Sequence, residues 1–136
     1  MAKILIVDDD EDILFLISQY LKSVGIEHDL AASAKQARSL LVHSRYDFVV
    51  SDFSMPGQSG LDLLDHVSSM YPKTKFVLVT GCDDLRIKRE STRMGVHAYI
   101  QKPFYLTELL RILIDVVAPD GKTPATGTTE ELSCGS

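Results

Sequence analysis

The amino-acid sequence predicts an α/β fold in which helices cover both faces of a parallel sheet. Short apolar runs alternate five times with segments that carry apolar residues at helical spacing. Strict alternation of this kind favours strand–helix–strand units, and right-handed crossovers leave few possible topologies. The chain has 136 residues, of which 45% are hydrophobic, and this is typical of one globular domain of ordinary size.

The first two strand–helix pairs are marked by apolar runs and by residues that cap or end helices. Strand Lys3–Val7 precedes apolar residues at helical spacing over 13–24, and Gly25 then stands where helices commonly end. A weaker strand is predicted over 28–31. Ser33 follows it and is suited to cap a second helix.

The other three pairs repeat this pattern. Strands are predicted over 47–51, 75–80 and 96–100. The predicted helices lie between Ser59 and Tyr71, from Asp83 or Asp84 to about Met94, and along the apolar stripe of residues 106–117. The stripe of the fifth helix is the most regular, whereas that of the fourth is interrupted by charges.

The composition of the chain changes after Ala118. Residues 119–136 are rich in Thr, Gly, Ser and Pro and contain a single Leu, which predicts a flexible tail or a truncated linker. Residues 1–118 then form the whole folded domain. The sequence leaves open whether this domain stands alone or is a fragment of a longer protein.

Charge and hydropathy exclude several classes of function. The net charge is −5, so the chain lacks the basic footprint of a nucleic-acid-binding protein. No apolar run approaches the roughly 18 residues of a membrane helix, and the acidic N-terminus does not resemble a signal peptide. Cys82 and Cys134 have no metal-ligand spacing and are predicted to be ordinary thiols. We therefore expect a cytoplasmic protein.

Polar side chains end four of the predicted strands. Asp8 and Asp9 follow the first strand, Asp52 the third, Thr80 ends the fourth, and Lys102 follows the fifth. In an open parallel sheet, functional residues gather beyond the carboxyl ends of the strands. These carboxylates, the hydroxyl and the ammonium group are therefore expected to meet at one edge. The next acids, residues 10–12, are predicted to be solvated at a helix start.

This set of side chains is suited to phosphoryl transfer. Three carboxylates close together repel one another, and a hard divalent cation such as Mg²⁺ relieves that repulsion. Lys102 adds positive charge that can meet the oxygens of a transferring phosphoryl group. Asp52 is then the candidate nucleophile, because carboxylates can form an aspartyl phosphate.

Four short segments, in order and each at a strand end, resemble the signature segments of the response-regulator receiver domain of two-component signalling. They are VDDDED (7–12), SDFSMPGQSG (51–60), VTG (79–81) and IQKPF (100–104). The resemblance extends over residues 1–118. It implies a flavodoxin-like (βα)5 fold with five parallel strands in the order 2-1-3-4-5, an order for which the chemotaxis regulator is a standard example.

The resemblance also implies which residues bind the metal and the phosphoryl group. Asp8 and Asp9 match the acidic pair that holds Mg²⁺, with Asp9 touching the ion and Asp8 acting through water. Asp52 matches the phosphoacceptor, which also binds the metal. Ser54 matches the position whose backbone carbonyl is a metal ligand. Lys102 matches the lysine that contacts the phosphoryl group.

Further positions are implied to be switch or structural residues. Thr80 matches the hydroxyl residue of the switch and Tyr99 its aromatic partner, although the sequence alone would also allow Tyr99 as plain core. Lys102-Pro103 matches a cis peptide bond. Gly60 matches the glycine that opens the third helix, and Gly81 the small residue that leaves room for the phosphoryl group.

The implied function is a phosphorylation-controlled signalling switch. A sensor histidine kinase or a phosphotransfer protein would supply the phosphoryl group to Asp52, with Mg²⁺ as cofactor. The chain would catalyse only its own phosphorylation and dephosphorylation, and it lacks an ATP-binding loop. It is expected to be a monomer or a weak, phosphorylation-dependent dimer that binds neither nucleic acid nor membrane, with an unknown downstream target.

Two other classes of function have requirements that this sequence does not meet. A flavodoxin-like cofactor-binding module needs a phosphate-binding loop after the first strand, but this chain has five acids there. An aspartate-dependent phosphatase needs a cap domain and a hydroxyl soon after its nucleophile, and neither is visible.

The fourth helix carries a basic run of Arg86, Lys88, Arg89 and Arg93. This run predicts a solvated helix face, with a partner-binding surface as the alternative. Because the helix buries little, it is expected to move easily, and the face formed by helix four, strand five and helix five is the expected output surface.

Overall fold

The structure, a computed structural model, describes residues 3–55, 57–81, 84–117 and 131–132. One sheet contains the five parallel strands β1 (Lys3–Val7), β2 (Glu27–Ala31), β3 (Phe48–Asp52), β4 (Lys75–Thr80) and β5 (Ala98–Gln101). Their spatial order is β2-β1-β3-β4-β5. The predicted fold class and strand order are confirmed.

Five helices connect and cover these strands: α1 (Glu11–Ser23), α2 (Ala34–His43), α3 (Gly60–Met70), α4 (Leu85–Arg93) and α5 (Leu106–Val117). The α1 and α5 helices pack on one face of the sheet, while α2 and α3 pack on the other. The predicted caps Ser33 and Ser59 accept hydrogen bonds from the first turns of α2 and α3. Asp84, rather than Asp83, caps α4.

Three strands differ from their predicted bounds. β2 starts one residue earlier than predicted, at Glu27. β3 extends to Asp52, which lies opposite Val79 of β4, so the predicted phosphoacceptor is part of the sheet and not of the following loop. β5 starts at Ala98 because Gly95 and Val96 still donate hydrogen bonds to carbonyl oxygens of the end of α4. An apolar residue before a strand cannot be distinguished from the strand by sequence pattern alone.

The structure adds a short antiparallel pair that the sequence did not predict. Residues Phe104–Tyr105 (β6) lie between β5 and α5 and pair with Glu131–Leu132 (β7). The rest of the predicted tail lies outside the described residues, as do Cys82, Asp83 and Cys134. The division into a domain over 1–118 and a flexible tail over 119–136 stays a prediction. Across the described part of the chain, no helix has the length and apolar character needed to span a membrane.

Candidate functional site

The parallel strands bring the predicted site residues to one edge of the sheet. Val7 of β1 lies opposite Ser51 of β3, so the residues that follow β1 are adjacent to Asp52. Thr80 ends the neighbouring strand β4 and is fully buried. The location of each of these site residues is set by the strand that precedes it or that it ends, because the carboxyl ends of parallel strands meet at the same edge of the sheet.

Three carboxylates form a cluster at this edge. Asp8, Asp9 and Asp52 each place one oxygen within 4.8 Å of the others. Asp8 and Asp52 are only 5% and 8% exposed, whereas Asp9 is exposed to solvent. Oxygen ligands of this kind, with one side open, fit a hard divalent cation that keeps part of its water shell.

Lys102 joins the cluster from the segment that follows β5. Its Nζ atom lies 3.3 Å from Oδ1 of Asp52 and 3.5 Å from Oδ2 of Asp8, and the side chain is buried. The backbone N–H of Lys102 donates a hydrogen bond to the carbonyl of Thr80. The Lys102-Pro103 peptide bond is cis. One ammonium group against three carboxylates leaves the site negative, which favours an additional cation.

Burial controls the charge of the two inner carboxylates. Desolvation raises the pKa of Asp8 to about 6, although the Asp10 N–H and Lys102 both favour the ionised form. Desolvation also raises the pKa of Asp52, and Lys102 opposes this shift. The pKa of Lys102 is raised because its two carboxylate partners outweigh the effect of its burial. The lysine therefore stays charged at neutral pH.

The raised pKa of Asp8 predicts a pH-dependent stability of the metal-free chain. A carboxyl group with a raised folded-state pKa favours folding below its unfolded pKa of 3.8, and this contribution is lost as the pH rises through about 6. In the presence of chelator, we expect the free energy of unfolding to fall by about 1.4 kcal/mol between pH 5 and pH 7.5. Denaturant unfolding checks this, and Asp8→Asn should flatten the profile. A wild-type chain that is equally stable across this range would contradict the expectation.

Gly60 packs against the backbone that holds Asp52. Its N–H donates a 2.7 Å hydrogen bond to the carbonyl of Phe53, whose own N–H donates to Val79 of β4. A Cβ atom at position 60 would lie 2.5 Å from the carbonyl oxygen of Asp52 and 2.8 Å from Cα of Phe53. Only glycine allows α3 to begin so close to the site.

The remaining predicted residues surround the cluster. Tyr99 lies opposite Leu78 of β4, is half-buried and packs against the core on the α2–α3 face. The Nζ atom of Lys88 on α4 lies 5.9 Å from the centroid of the Tyr99 ring. Ser54 and Gly81 are both exposed at the same edge.

Two site features could not be found by motif reasoning. One is the hydrogen bond from the Asp10 N–H to Oδ1 of Asp8, which orients a carboxylate of the cluster. An Asx turn of this kind is signalled only weakly, by an acid two residues upstream. The other is the contact of Lys88 with Tyr99, because the spacing of two residues in different elements carries no such signal.

A wide groove among the described residues lies elsewhere. It has a volume of about 750 Å³ and is lined by the C-terminal ends of α2 and α3 and by the residues that precede β3 and β4. It is therefore at the opposite edge of the sheet from the carboxylates. The chemistry of the carboxylate–lysine cluster, rather than cavity size, identifies the candidate site.

Comparisons with known proteins agree with this geometry. A family model described as the response regulator receiver domain matches residues 4–114. Sporulation initiation phosphotransferase F of Bacillus subtilis (strain 168) is 29% identical over 107 residues, which is 79% of this chain and 86% of that protein. The heme response regulator HssR of Staphylococcus haemolyticus is 34% identical over 110 residues, 81% of this chain but 49% of that protein.

Solved structures show the same fold. A CheY-like receiver domain protein from Methanospirillum hungatei has a TM-score of 0.83 at 30% identity, covering 88% of this chain and 95% of that one. The response regulator TrrA from Thermotoga maritima, solved with Mg²⁺ and BeF, has a TM-score of 0.77 at 29% identity, covering 85% and 99%. For several curated relatives, the chain spans only between 24% and 49% of their length.

The fold and the buried carboxylate–lysine cluster define a phosphorylation-controlled signalling domain rather than a classical enzyme. The chain belongs to the response-regulator receiver domain family of two-component signalling. Receiver domains of this family are phosphorylated by histidine kinases or phosphotransfer proteins. The flavodoxin-like cofactor module is not favoured.

Proposed function

We propose that Asp52 accepts a phosphoryl group from the phosphohistidine of a sensor histidine kinase or a phosphotransfer protein in the cytoplasm. The observation that supports this most directly is the position of Asp52. It ends a central strand, is nearly buried and lies 3.3 Å from the Lys102 ammonium group and beside two further carboxylates. A buried carboxylate in such surroundings is better suited to act as a nucleophile than to be a solvated surface group.

Mg²⁺ is the proposed cofactor. The carboxylates of Asp8, Asp9 and Asp52 and the backbone carbonyl of Ser54 would hold it. The three carboxylates fit a hard divalent ion because they supply closely spaced oxygens and, among the described residues, Lys102 is the one ammonium group paired with them. When bound, Mg²⁺ would neutralise charge on the phosphoryl oxygens.

In the proposed transfer, an oxygen of ionised Asp52 attacks the phosphorus atom. The new O–P bond forms as the P–N bond to the donor imidazole breaks, and the imidazole leaves with the bonding electron pair. Lys102 favours the ionised form of Asp52 and can then turn its ammonium group to a phosphoryl oxygen. The Thr80 hydroxyl ends the neighbouring strand and is the proposed partner of another phosphoryl oxygen.

A small phosphodonor tests the proposed function without knowledge of the kinase. The chain is incubated with phosphoramidate in Mg²⁺ and weighed intact by mass spectrometry. We expect the mass of one phosphoryl group in Mg²⁺ and none in chelator, because the negative cluster repels the donor without a cation. Equal uptake in both conditions would contradict the metal requirement, and no uptake in either would contradict the function.

We further propose that phosphorylation moves Thr80 towards the phosphoryl oxygens and lets Tyr99 turn inward. The α4 helix is suited to follow this change because Ser91 is its only fully buried residue among those described. The two states need differ by only a few kcal/mol for phosphoryl contacts to bias them. The face formed by α4, β5 and α5 would then present the signal to a partner or to a second copy in a weak dimer.

Amide hydrogen exchange with and without beryllofluoride, a phosphoryl mimic, checks this switch. We expect changes in protection to concentrate in residues 81–106 as well as around Asp52. Exchange in α2, which packs on β2 and β1 at the other end of the sheet from β4 and β5, should be unchanged and serves as the internal control. Changes confined to the neighbours of Asp52 would contradict the proposed route through Tyr99.

A further inference from the structure

Two exposed apolar side chains line the groove at the edge of the sheet opposite the carboxylate cluster. Val42 near the end of α2 is 71% exposed and Met70 at the end of α3 is 61% exposed, more than any other large apolar side chain among the described residues. Tyr71 and Pro72 line the groove with them. Single exposed apolar residues are ordinary, but several along one depression indicate a binding surface. We call it the α2–α3 groove.

Three cations flank this apolar centre. Arg45 and Lys73 line the groove itself, just beyond the ends of α2 and α3. Arg38 lies four residues before Val42 on α2, so its side chain projects from the same side of the helix, one turn away. In the part of the chain that the structure describes, none of the three makes an ion pair. Their charges are therefore available to an acidic ligand.

Arg38 also carries a hydrogen-bond donor without an acceptor. Its Nε atom is buried and has no hydrogen-bond partner among the described residues. A buried N–H group without an acceptor is unfavourable, and a bound ligand is one way to satisfy it. Desolvation, and after it the Arg38 guanidinium, lowers the pKa of His66, so Arg38 lies close to α3 as well. A carboxylate is the acceptor that best fits a guanidinium group.

Two carboxylates near the groove neutralise these cations only in part. Oδ2 of Asp47 already accepts a 2.7 Å hydrogen bond from the backbone N–H of Lys3. Asp65 is exposed on α3 beside His66 and forms no ion pair with any described residue. The surroundings of the groove are therefore positive, although the chain as a whole has a net charge of −5.

We propose that the α2–α3 groove binds an extended, acidic segment of a partner protein that carries one apolar anchor. The anchor would lie between Val42 and Met70, and carboxylates on either side of it would bind Arg38 and Arg45. This charge complementarity, together with an apolar centre, favours a peptide. A nucleic acid would instead need a continuous basic surface for its phosphates.

The spacing of the two arginines sets the pattern of the peptide. Five residues of helix and two of extended chain separate Arg38 from Arg45, which corresponds to roughly 10–14 Å. An extended peptide spans about 13 Å in four residues, and its residues i, i+2 and i+4 point to the same side. The sequence Glu-x-Leu-x-Glu therefore presents both carboxylates and the anchor to the groove at once.

The position of the groove predicts that this binding is independent of phosphorylation. The groove lies beyond the amino ends of β3 and β4, whereas Asp52 ends β3 at the opposite edge. A bound segment would leave the carboxylate cluster open to a phosphodonor. The groove would thus anchor the domain to a partner in both states, and this inference does not depend on the proposed function.

Synthetic peptides test the proposal. The probe is an extended peptide with the pattern Glu-x-Leu-x-Glu, compared with analogues in which Gln replaces Glu, Ser replaces Leu, or the Leu moves by one position. Binding is followed by amide NMR shifts of the full chain, with and without beryllofluoride. We expect shifts within residues 38–47 and 66–74, weaker binding in added salt and in all three analogues, and no effect of beryllofluoride.

Several results would overturn the proposal. Analogues that bind as well as the probe would show that neither the charges nor the register of the anchor is recognised. Shifts confined to other surfaces, or binding only with beryllofluoride, would place the peptide elsewhere. A single-stranded oligonucleotide of equal charge that binds the groove more tightly would show a nucleic-acid site.

Matched variants locate the interaction. R38Q/R45Q should weaken binding of the probe roughly threefold to tenfold. V42S/M70S should weaken it as well, and both substitutions are at exposed positions where the fold tolerates a polar side chain. K22Q/R111Q removes the same charge from exposed positions on α1 and α5 and should bind like wild type. Wild-type binding by both groove variants would overturn the assignment.

Light scattering tests a second copy of the chain as the occupant. We expect the wild-type chain to keep its molar mass as its concentration rises and the probe peptide to leave that mass unchanged. Self-association that R38Q/R45Q abolishes and K22Q/R111Q preserves would show that the groove binds another copy, and would overturn the proposal of a partner segment.

Discussion

Asp52→Asn should take up no phosphoryl group from phosphoramidate under conditions in which the wild-type chain is modified. The amide has nearly the same shape as the carboxylate but lacks the negative charge and the nucleophilic oxygen that form an aspartyl phosphate. Intact-mass measurement follows the loss directly. The variant should remain folded, because Lys102 keeps its second carboxylate partner, Asp8, at 3.5 Å.

Asp65→Asn is the matched control for this variant. It makes the same chemical change at an exposed position on α3, away from the carboxylate cluster, and should be phosphorylated like wild type. In chelator, Asp52→Asn should also melt at a higher temperature than wild type at pH 7, because it removes a carboxyl group whose pKa burial has raised. Uptake by Asp52→Asn at the wild-type level would mean that another residue is the acceptor.

The strand ends are the part of the site that sequence reasoning could predict. Each apolar run had to be a buried strand, and parallel strands place the residues that follow them on one edge. This argument alone brings Asp8, Asp52 and Thr80 together, and the structure places them there. The pairing of Lys102 with two carboxylates is not implied by strand order, since it depends on how the segment after β5 turns.

Other features depend on tertiary contacts that leave no local signal. β5 begins two residues later than its apolar pattern suggested because the end of α4 uses the preceding backbone groups. The pairing of β7 with β6 joins segments more than 20 residues apart, and neither has a strand-like pattern. The orientation of the basic run on α4 became clear only when the buried side of that helix was known.

Gly60 illustrates how such a contact can reverse an expectation based on sequence. Ala is the better helix former, and Gly60 does not require a left-handed backbone, so propensity alone predicts that Gly60→Ala stabilises the chain. The structure predicts the opposite. The new methyl group would lie 2.5 Å from the Asp52 carbonyl oxygen, 2.8 Å from Cα of Phe53 and 2.9 Å from Cδ1 of Leu78. The first two are backbone atoms of the last residue of β3 and of the residue that follows it, and backbone atoms cannot rotate away as a side chain can.

Gly60→Ala should therefore lower the free energy of unfolding by roughly 1–3 kcal/mol, as overpacked sites do, and the melting temperature by about 5–15 °C. Because relief requires movement of the Asp52 backbone, phosphoryl uptake should also slow relative to wild type. Ser69→Ala, on the exposed side of the same helix, should be neutral or slightly stabilising and keep normal uptake. The sign of the change in melting temperature is the test. A Gly60→Ala chain that melts at or above the wild-type temperature would show that α3 can shift away from β3. It would also show that the close packing of α3 does not position Asp52.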